Sequence, residues 1–291
     1  MRTPGIERVY YRGDGAVQAC METELMRIRY VVSTMVFWWR EHYLSFEQEC
    51  EFLKSLGFGV ELWPTIKGDG DCRYARRNWP RLKEATRDML VSLNSRNDGP
   101  TLAEWTEQIE CAKMLDACIV ADLRGLCISQ DLGIADWGFA TDVVKIADDN
   151  GVTLCVETGS LPALLQVGEK FDSIRYCLDT GYAYLDTKNS FADYVDRLAD
   201  RTTHLHLTDN YGRFDDHEPP GVRGGMARAN WDCLLNGLGK YDNDVIGSLE
   251  MFPCMPGTMI RQSSKFLFDV IGWPNRPQPE PDHSEKHYRP L

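Results

Sequence analysis

The segment HLHLTDNYGRFDDHEPPG, residues 204–221, concentrates side chains that bind metals and transfer protons. Three of the six histidines of the chain and three aspartates lie within it. Imidazole and carboxylate groups without thiolates suit Mn²⁺, Mg²⁺, Co²⁺ or Zn²⁺. The same residue types also occur in polar turns. By itself, the segment is therefore compatible with a metal site, a catalytic loop or a crowded surface turn.

Four apolar runs carry a candidate ligand at or near their ends. These candidates are Glu157 in VTLCVE, Asp179 in IRYCLD, His206 in THLHLT and Glu250 in VIGSLE. Side chains of a strand alternate between its two faces, so the residue two positions earlier shares the candidate's face. Those residues are small or polar: Cys155, Cys177, His204 and Ser248. The residues between them are mostly large and apolar, which predicts that the four candidates share one polar face.

Three acids and one imidazole on a common face indicate a metal ion rather than a network of ion pairs. Carboxylates gathered closely repel one another unless a cation is present, and the one basic residue in a comparable position is Arg124. A divalent ion can hold adjacent oxygens of a hydroxy-carbonyl compound and acidify the hydrogen between them, and a flanking glutamate can then transfer the proton. His204, one layer below His206, is predicted to be a core histidine.

Eight short apolar runs alternate with segments of helical periodicity, and these elements would position the candidates. The runs cover residues 30–35, 58–63, 89–94, 118–123, 152–157, 174–179, 203–208 and 245–250. Strict alternation predicts parallel strands joined by right-handed crossovers, and eight units close into a (β/α)8 TIM barrel. Catalytic residues of this fold lie at the C-terminal ends of the strands. An open doubly wound sheet is less favoured, because YVVSTMVFWW contains no glycine-rich phosphate turn.

The predicted barrel covers residues 28–273, between an N-terminal extension (1–27) and a proline-rich, charged C-terminal tail (274–291). The net charge of −12 argues against binding to nucleic acid or to an anionic membrane surface. None of the ten cysteines forms a C-x-x-C pair, and no run reaches the roughly 18 apolar residues of a membrane span. A soluble, cytoplasmic protein is expected, and a homo-oligomer is left open.

At these residues the chain resembles the xylose isomerase-like TIM barrels, over about residues 30–272. The resemblance rests on HLHLTDNYGRFDDHEPPG together with ELW (61–63), VE (156–157), DTGYA (179–183) and LE (249–250). That superfamily includes sugar and sugar-phosphate isomerases and epimerases, inosose dehydratases, hydroxypyruvate isomerases and endonuclease IV. The resemblance implies one divalent metal ion on Glu157, Asp179, His206 and Glu250. It also implies that Glu157 and Glu250 exchange a substrate proton through an enediolate.

Two departures from the family pattern reduce the number of family activities that this chain is expected to have. The histidine that often follows strand six is replaced by Tyr182, and strands three and four offer Asn94, Asp122 and Arg124 where many members carry histidine. The trinuclear zinc site of endonuclease IV needs several of those histidines. A DNA repair nuclease is therefore disfavoured, and a site with a single metal ion fits better.

Six further residues are predicted to contact the substrate: Glu61, Trp63, Tyr182, Asp215, His217 and Arg223. For Glu61 a structural hydrogen bond is nearly as well supported as a contact with a substrate hydroxyl. Asp215 and His217 match loop ligands of the multi-metal members, and they either contact substrate, order the loop or bind a second metal ion. Arg223 is a candidate for an anionic group, and Trp63 for a wall of the pocket.

The leading hypothesis is a metal-dependent isomerase or epimerase of a sugar, a sugar phosphate or another small polyhydroxy carbonyl compound. A dehydratase or lyase that acts on a keto-sugar or keto-inositol through the same enolate is the alternative. A repair nuclease and a metal-binding barrel without catalysis are less favoured, the latter because both glutamates of the pair are present.

Overall fold

A computed structural model describes residues 28–40, 44–64, 72–131, 133–252 and 256–271. Eight parallel strands form a closed barrel in chain order. They are β1 (Ile28–Ser33), β2 (Gly59–Leu62), β3 (Val91–Asn94), β4 (Cys118–Asp122), β5 (Leu154–Glu157), β6 (Arg175–Asp179), β7 (Thr202–Leu207) and β8 (Val245–Leu249). Each strand overlaps one of the eight predicted runs, so the predicted TIM barrel is confirmed. The predicted extension (1–27) and tail (274–291) lie outside the described residues.

Helices follow the strands and cover the outside of the barrel. The α-helices are α1 (Phe46–Ser55), α2 (Trp79–Ala85), α3 (Leu102–Leu115), α4 (Trp137–Asn150), α5 (Leu161–Lys170), α6 (Thr180–Leu185), α7 (Phe191–Leu198), α8 (Arg228–Leu238) and α9 (Pro256–Ile271). Short 3₁₀ helices span Thr34–Arg40, Arg76–Asn78, Leu123–Leu126 and Ala199–Arg201. Ser45 and Thr101 form capping boxes with Gln48 and Glu104, which explains why α1 and α3 begin where they do. Among the described helices, none has both the length and the apolar character needed to cross a membrane.

The strands alternate between an apolar outer face and a more polar interior. The large apolar residues of β5 to β8, such as Leu154, Leu178 and Leu205, belong to the core between the sheet and the helices. Val120, Cys155 and Cys177 form a separate cluster. Because neighbours in register point to the same side of a parallel sheet, this separation identifies the interior face and matches the alternation read from the sequence.

A register shift between β6 and β7 brings His204 and His206 to the interior face of the barrel. Tyr176 pairs with Thr202, whereas the next residue, Cys177, pairs with His204, so β7 contains one extra residue at this point. Beyond the shift, Asp179 pairs with His206. Such a bulge changes which side chains face inward. In this barrel it places the histidine and the aspartate side by side at the mouth.

Candidate active site

The four predicted ligands lie together at the C-terminal mouth of the barrel. His206 is completely buried, and its Nδ1 lies 2.7 Å from Glu157 Oε2 and 3.1 Å from Glu250 Oε2. Ligand atoms of Glu157, Asp179 and His206 all lie within 4.8 Å of one another. The three acids are between 3 and 8 % exposed. This acid–histidine cluster, defined as Glu157, Asp179, His206 and Glu250, joins residues at or directly after the ends of four successive strands.

The surroundings of His206 fit a divalent cation. Its Nε2 lies 3.2 Å from Glu61 Oε2, and because an ionised carboxylate only accepts hydrogen bonds, Nε2 carries the hydrogen. In the neutral imidazole, Nδ1 then presents its lone pair to Glu157 and Glu250. Despite the short distances, Nδ1 makes no hydrogen bond of acceptable geometry to any described residue. A cation among these groups would satisfy the nitrogen and both carboxylates, which is the arrangement of a metal-binding histidine.

The ionisation of the cluster also indicates an affinity for positive charge. Burial raises the pKa of Glu157 to about 7 and that of Asp179 to about 6, and nearby carboxylates add to both shifts. Burial opposes a charged imidazole at His206, but the surrounding acids hold its pKa well above the usual value. In the metal-free protein, protons therefore supply the positive charge that the cluster attracts.

Stabilisation by a metal ion is expected to increase with pH. The folded protein retains the protons of Glu157 and Asp179 to higher pH than the unfolded chain, where such groups titrate near about pH 4. Their contribution to stability is therefore present at low pH and is lost as the pH rises through 6 to 7. A bound ion replaces these protons, so saturating Mn²⁺ should raise the melting temperature more at about pH 8 than at about pH 5.5. An equal Mn²⁺-induced shift at both values in thermal denaturation would contradict this.

Glu61 on β2 lies beneath the cluster and is completely buried. Its carboxylate contacts Nε2 of both His204 and His206 at 3.2 Å and accepts hydrogen bonds from the hydroxyls of Ser92 and Ser248. The predicted bond to a substrate hydroxyl stays a prediction. These contacts match the structural hydrogen bond, which was the other role considered for Glu61. Through the contact with Nε2, Glu61 orients the His206 ring.

Replacement of Glu61 by Gln is expected to weaken metal binding without removing a ligand. The amide keeps the size of the side chain but lowers the basicity that Glu61 confers on His206. Loss of such a partner reduces metal affinity about 10- to 100-fold. Titration calorimetry with Mn²⁺ measures the effect, and Glu49→Gln, a buried acid on α1 outside the barrel interior, is the matched control. Equal affinities for Glu61→Gln and the wild type would show that Glu61 does not tune His206.

His204 is the core histidine that the sequence predicts. It is completely buried, its Nδ1 lies 3.4 Å from Cys177 Sγ, and its Nε2 lies 3.3 Å from Ser92 Oγ. Burial lowers its pKa to about 3, so the ring is neutral. His204 therefore supports the floor of the site and does not face the mouth.

The loop between β7 and α8 contacts the cluster through His217. Its Nδ1 donates to the backbone oxygen of Glu250 at 3.2 Å, and its Nε2 lies 3.3 Å from Asp215 Oδ2. Burial opposes the charged ring, but the bond to Asp215 and the charge of Glu250 raise the pKa of His217 to about 10. The structure thus joins Asp215 and His217 to the site as an ion pair beside Glu250.

Asp209 holds the rest of this loop in place. Its Oδ1 accepts hydrogen bonds from the N–H groups of Asn210 and Met226 at 2.7 and 3.0 Å. Gly224 has a φ of +101°, and a Cβ at that position would lie 2.3 Å from the Asp209 carboxyl. The close approach therefore requires glycine.

The other predicted contacts lie around the mouth. Asp179 Oδ1 caps α6 by accepting a hydrogen bond from the backbone N–H of Tyr182 at 2.9 Å, and the Tyr182 side chain is half-buried. Trp63 is half-buried and Arg223 is exposed.

The sequence did not identify the ion pair in which Asp122 Oδ2 accepts from Arg124 Nη2 at 2.6 Å. An Asp-x-Arg sequence at the end of β4 was the available signal.

Comparisons with known proteins agree with this architecture. A model of the family described as xylose isomerase-like TIM barrel matches residues 89–270, more than half of the chain. No curated protein sequence matches at a significant level.

Solved structures with similar folds come from proteins of low sequence identity. A D-tagatose 3-epimerase-like protein is 17 % identical, with a TM-score of 0.64 over 84 % of this chain and 97 % of its own. A xylose isomerase domain containing protein from Salmonella typhimurium is 14 % identical, with a TM-score of 0.61 over 84 % and 99 %. A sugar phosphate isomerase/epimerase from Parabacteroides distasonis is 12 % identical, with a TM-score of 0.54 over 92 % and 99 %. These likenesses concern the fold, and together with the family match over residues 89–270 they lead to one conclusion: the chain belongs to the xylose isomerase-like TIM barrel family.

Proposed function

We propose that this protein is a divalent-metal-dependent isomerase or epimerase of a small polyhydroxy ketone. The observation that carries the proposal is the pair Glu157 and Glu250, whose carboxylates approach His206 Nδ1 within 2.7 and 3.1 Å at the mouth of the barrel. Two carboxylates beside one cation-binding position suit a reaction in which a proton leaves one carbon and is returned elsewhere.

Glu157, Asp179, His206 and Glu250 would hold the ion, and Mn²⁺, Mg²⁺, Co²⁺ and Zn²⁺ all suit this donor set. When bound, a divalent ion would polarise adjacent carbonyl and hydroxyl oxygens and so acidify the C–H bond beside them. Glu61 keeps the His206 ring in the required orientation through the bond to Nε2. Asp179 is held in turn by the backbone N–H of Tyr182.

Glu157 and Glu250 perform the proton transfer in this proposal. One carboxylate accepts the proton from the acidified carbon, which leaves an enediolate. The other returns a proton to the opposite face of the same carbon, which gives an epimer, or to the neighbouring carbon. In the second case the hydroxyl hydrogen also passes from the oxygen of the first carbon to the oxygen of the second, which completes an aldose–ketose isomerisation. The two acids are 6 and 3 % exposed, so the proton transfer takes place in a largely buried site.

Metal analysis combined with solvent deuterium incorporation tests the proposal. The Mn²⁺-loaded protein would be incubated in D₂O with dihydroxyacetone, D-xylulose, D-fructose and D-tagatose, and each sugar analysed by proton NMR and mass spectrometry. Incorporation of deuterium next to the carbonyl, with formation of an isomer or epimer, is expected, and the chelator-treated protein is the control. Loss of water from the sugar would identify a lyase instead. Absence of exchange with every ketose would refute the isomerase assignment.

A further inference from the structure

Asn94, at the end of β3, faces the interior of the barrel one layer above Glu61, the residue that contacts His206. It pairs in register with Val120, which packs with Cys155 and Cys177 inside the barrel. On the same face of β3, two residues earlier, the hydroxyl of Ser92 bonds to Glu61. Asn94 therefore lies one interior layer closer to the mouth than Glu61, about 6.6 Å further along its strand. Because Glu61 reaches across the barrel to His206, Asn94 lies in the interior layer above this contact.

The side chain of Asn94 is buried, and its Nδ2 is unpaired among the described residues. The residue is 4 % exposed, and its Nδ2 has no hydrogen-bond partner among the described residues. Its backbone oxygen accepts from the hydroxyl of Tyr74 at 2.7 Å, so the end of β3 is held in place. Buried amides are ordinarily paired. An unpaired donor held inside the barrel, one layer above Glu61, is the arrangement expected when a ligand supplies the acceptor.

The neighbouring groups indicate what kind of acceptor this is. On β4, Asp122 shares the face of Val120 and pairs in register with Glu157, and its carboxylate is bound by Arg124. The acid at the end of the neighbouring strand is thus already paired with Arg124. An uncharged N–H donor is left on this wall, which suits a neutral hydroxyl oxygen.

We infer that Asn94 is a substrate-binding residue, whose Nδ2 donates a hydrogen bond to a hydroxyl of a neutral polyhydroxy ketone. The inference rests on the proposed function, since the reacting end of the same ketone lies at Glu157 and Glu250. Asn94 binds the part of the carbon chain that extends away from the cluster and across the mouth towards β3. Asn94 therefore favours ketoses whose carbon chain is long enough to place a hydroxyl group within hydrogen-bond distance of Nδ2.

A ketose series separates this contact from binding at the reacting end. Isothermal titration of the Mn²⁺-loaded protein would use dihydroxyacetone, which offers the reacting end alone, together with D-xylulose and D-tagatose. Asn94→Ala should weaken binding of the longer ketoses about tenfold or more, the usual effect of an unmade hydrogen bond in a buried site. Affinity for dihydroxyacetone and for Mn²⁺ should stay within twofold of the wild type. Asn94→Ser, which keeps a donor, should lie between Asn94→Ala and the wild type.

Ser95→Ala is the matched control. Ser95 is the next residue, is 3 % exposed and also has an Oγ without a partner among the described residues, but it follows the opposite parity. It should leave all ketose affinities unchanged. Equal affinities of wild type, Asn94→Ala and Asn94→Ser for every ketose, with Mn²⁺ still bound, would overturn the role of Asn94 and leave the proposed function standing. Failure of the Mn²⁺-loaded wild type to bind any ketose would overturn both.

Discussion

Replacement of Glu250 by Gln is expected to abolish turnover. The change keeps the length of the side chain and the backbone contact to His217, but it removes a negative charge that lies 3.1 Å from His206 Nδ1. In the proposed mechanism, the variant lacks one metal ligand and one partner of the proton transfer. Removal of a general base alone lowers rates about 10²- to 10⁴-fold. Deuterium incorporation into a reactive ketose and titration with Mn²⁺ measure the two losses separately.

Glu169→Gln is the control for this variant. Glu169 lies exposed near the end of α5, so the same loss of one negative charge occurs outside the barrel mouth. It should leave both the exchange rate and the Mn²⁺ affinity unchanged. Undiminished deuterium exchange by Glu250→Gln would show that this carboxylate is not part of the reaction.

The two neighbouring histidines are expected to respond in opposite ways to replacement by Gln. In the proposed site His206 is the nitrogen ligand, so His206→Gln should lose the binding of one equivalent of Mn²⁺ together with the deuterium exchange. His204→Gln alters a buried ring that contacts Cys177, Ser92 and Glu61. It should lower the melting temperature while the protein still binds one equivalent of Mn²⁺.

Metal content after dialysis and thermal denaturation distinguish these outcomes. Each variant serves as the control for the other, because both replace a completely buried histidine on the same face of β7. If His206→Gln kept one tightly bound Mn²⁺, or if His204→Gln lost the ion without loss of stability, the assignment of ligand and core histidine would be reversed.

Much of the barrel and of the cluster was predictable, because both depend on local periodicities. Strand side chains alternate with a period of two, so Glu157, Asp179 and His206 could be assigned to one face from their neighbours Cys155, Cys177 and His204. Alternation of strands and helices identified the barrel, and its parallel strands bring their C-terminal ends to one mouth. The four candidate ligands therefore followed from the sequence before any distance was known.

The roles of the supporting residues were decided by the tertiary structure. Glu61 and His206 are 145 positions apart, and their contact depends on how β2 faces β7 across the closed barrel. The same closure leaves Asn94 above Glu61 with an unpaired amide.

What the sequence by itself determined is the fold, the face of each strand and the type of chemistry at the strand ends, since these follow from alternation and residue type. Only the tertiary structure decided which groups touch. Contacts between distant strands depend on the register around the barrel, including the extra residue of β7 between Thr202 and His204, which no local pattern specifies. For that reason Glu61 contacts His206, His217 lies against Glu250, and Asn94 Nδ2 is buried inside the barrel without a partner among the described residues.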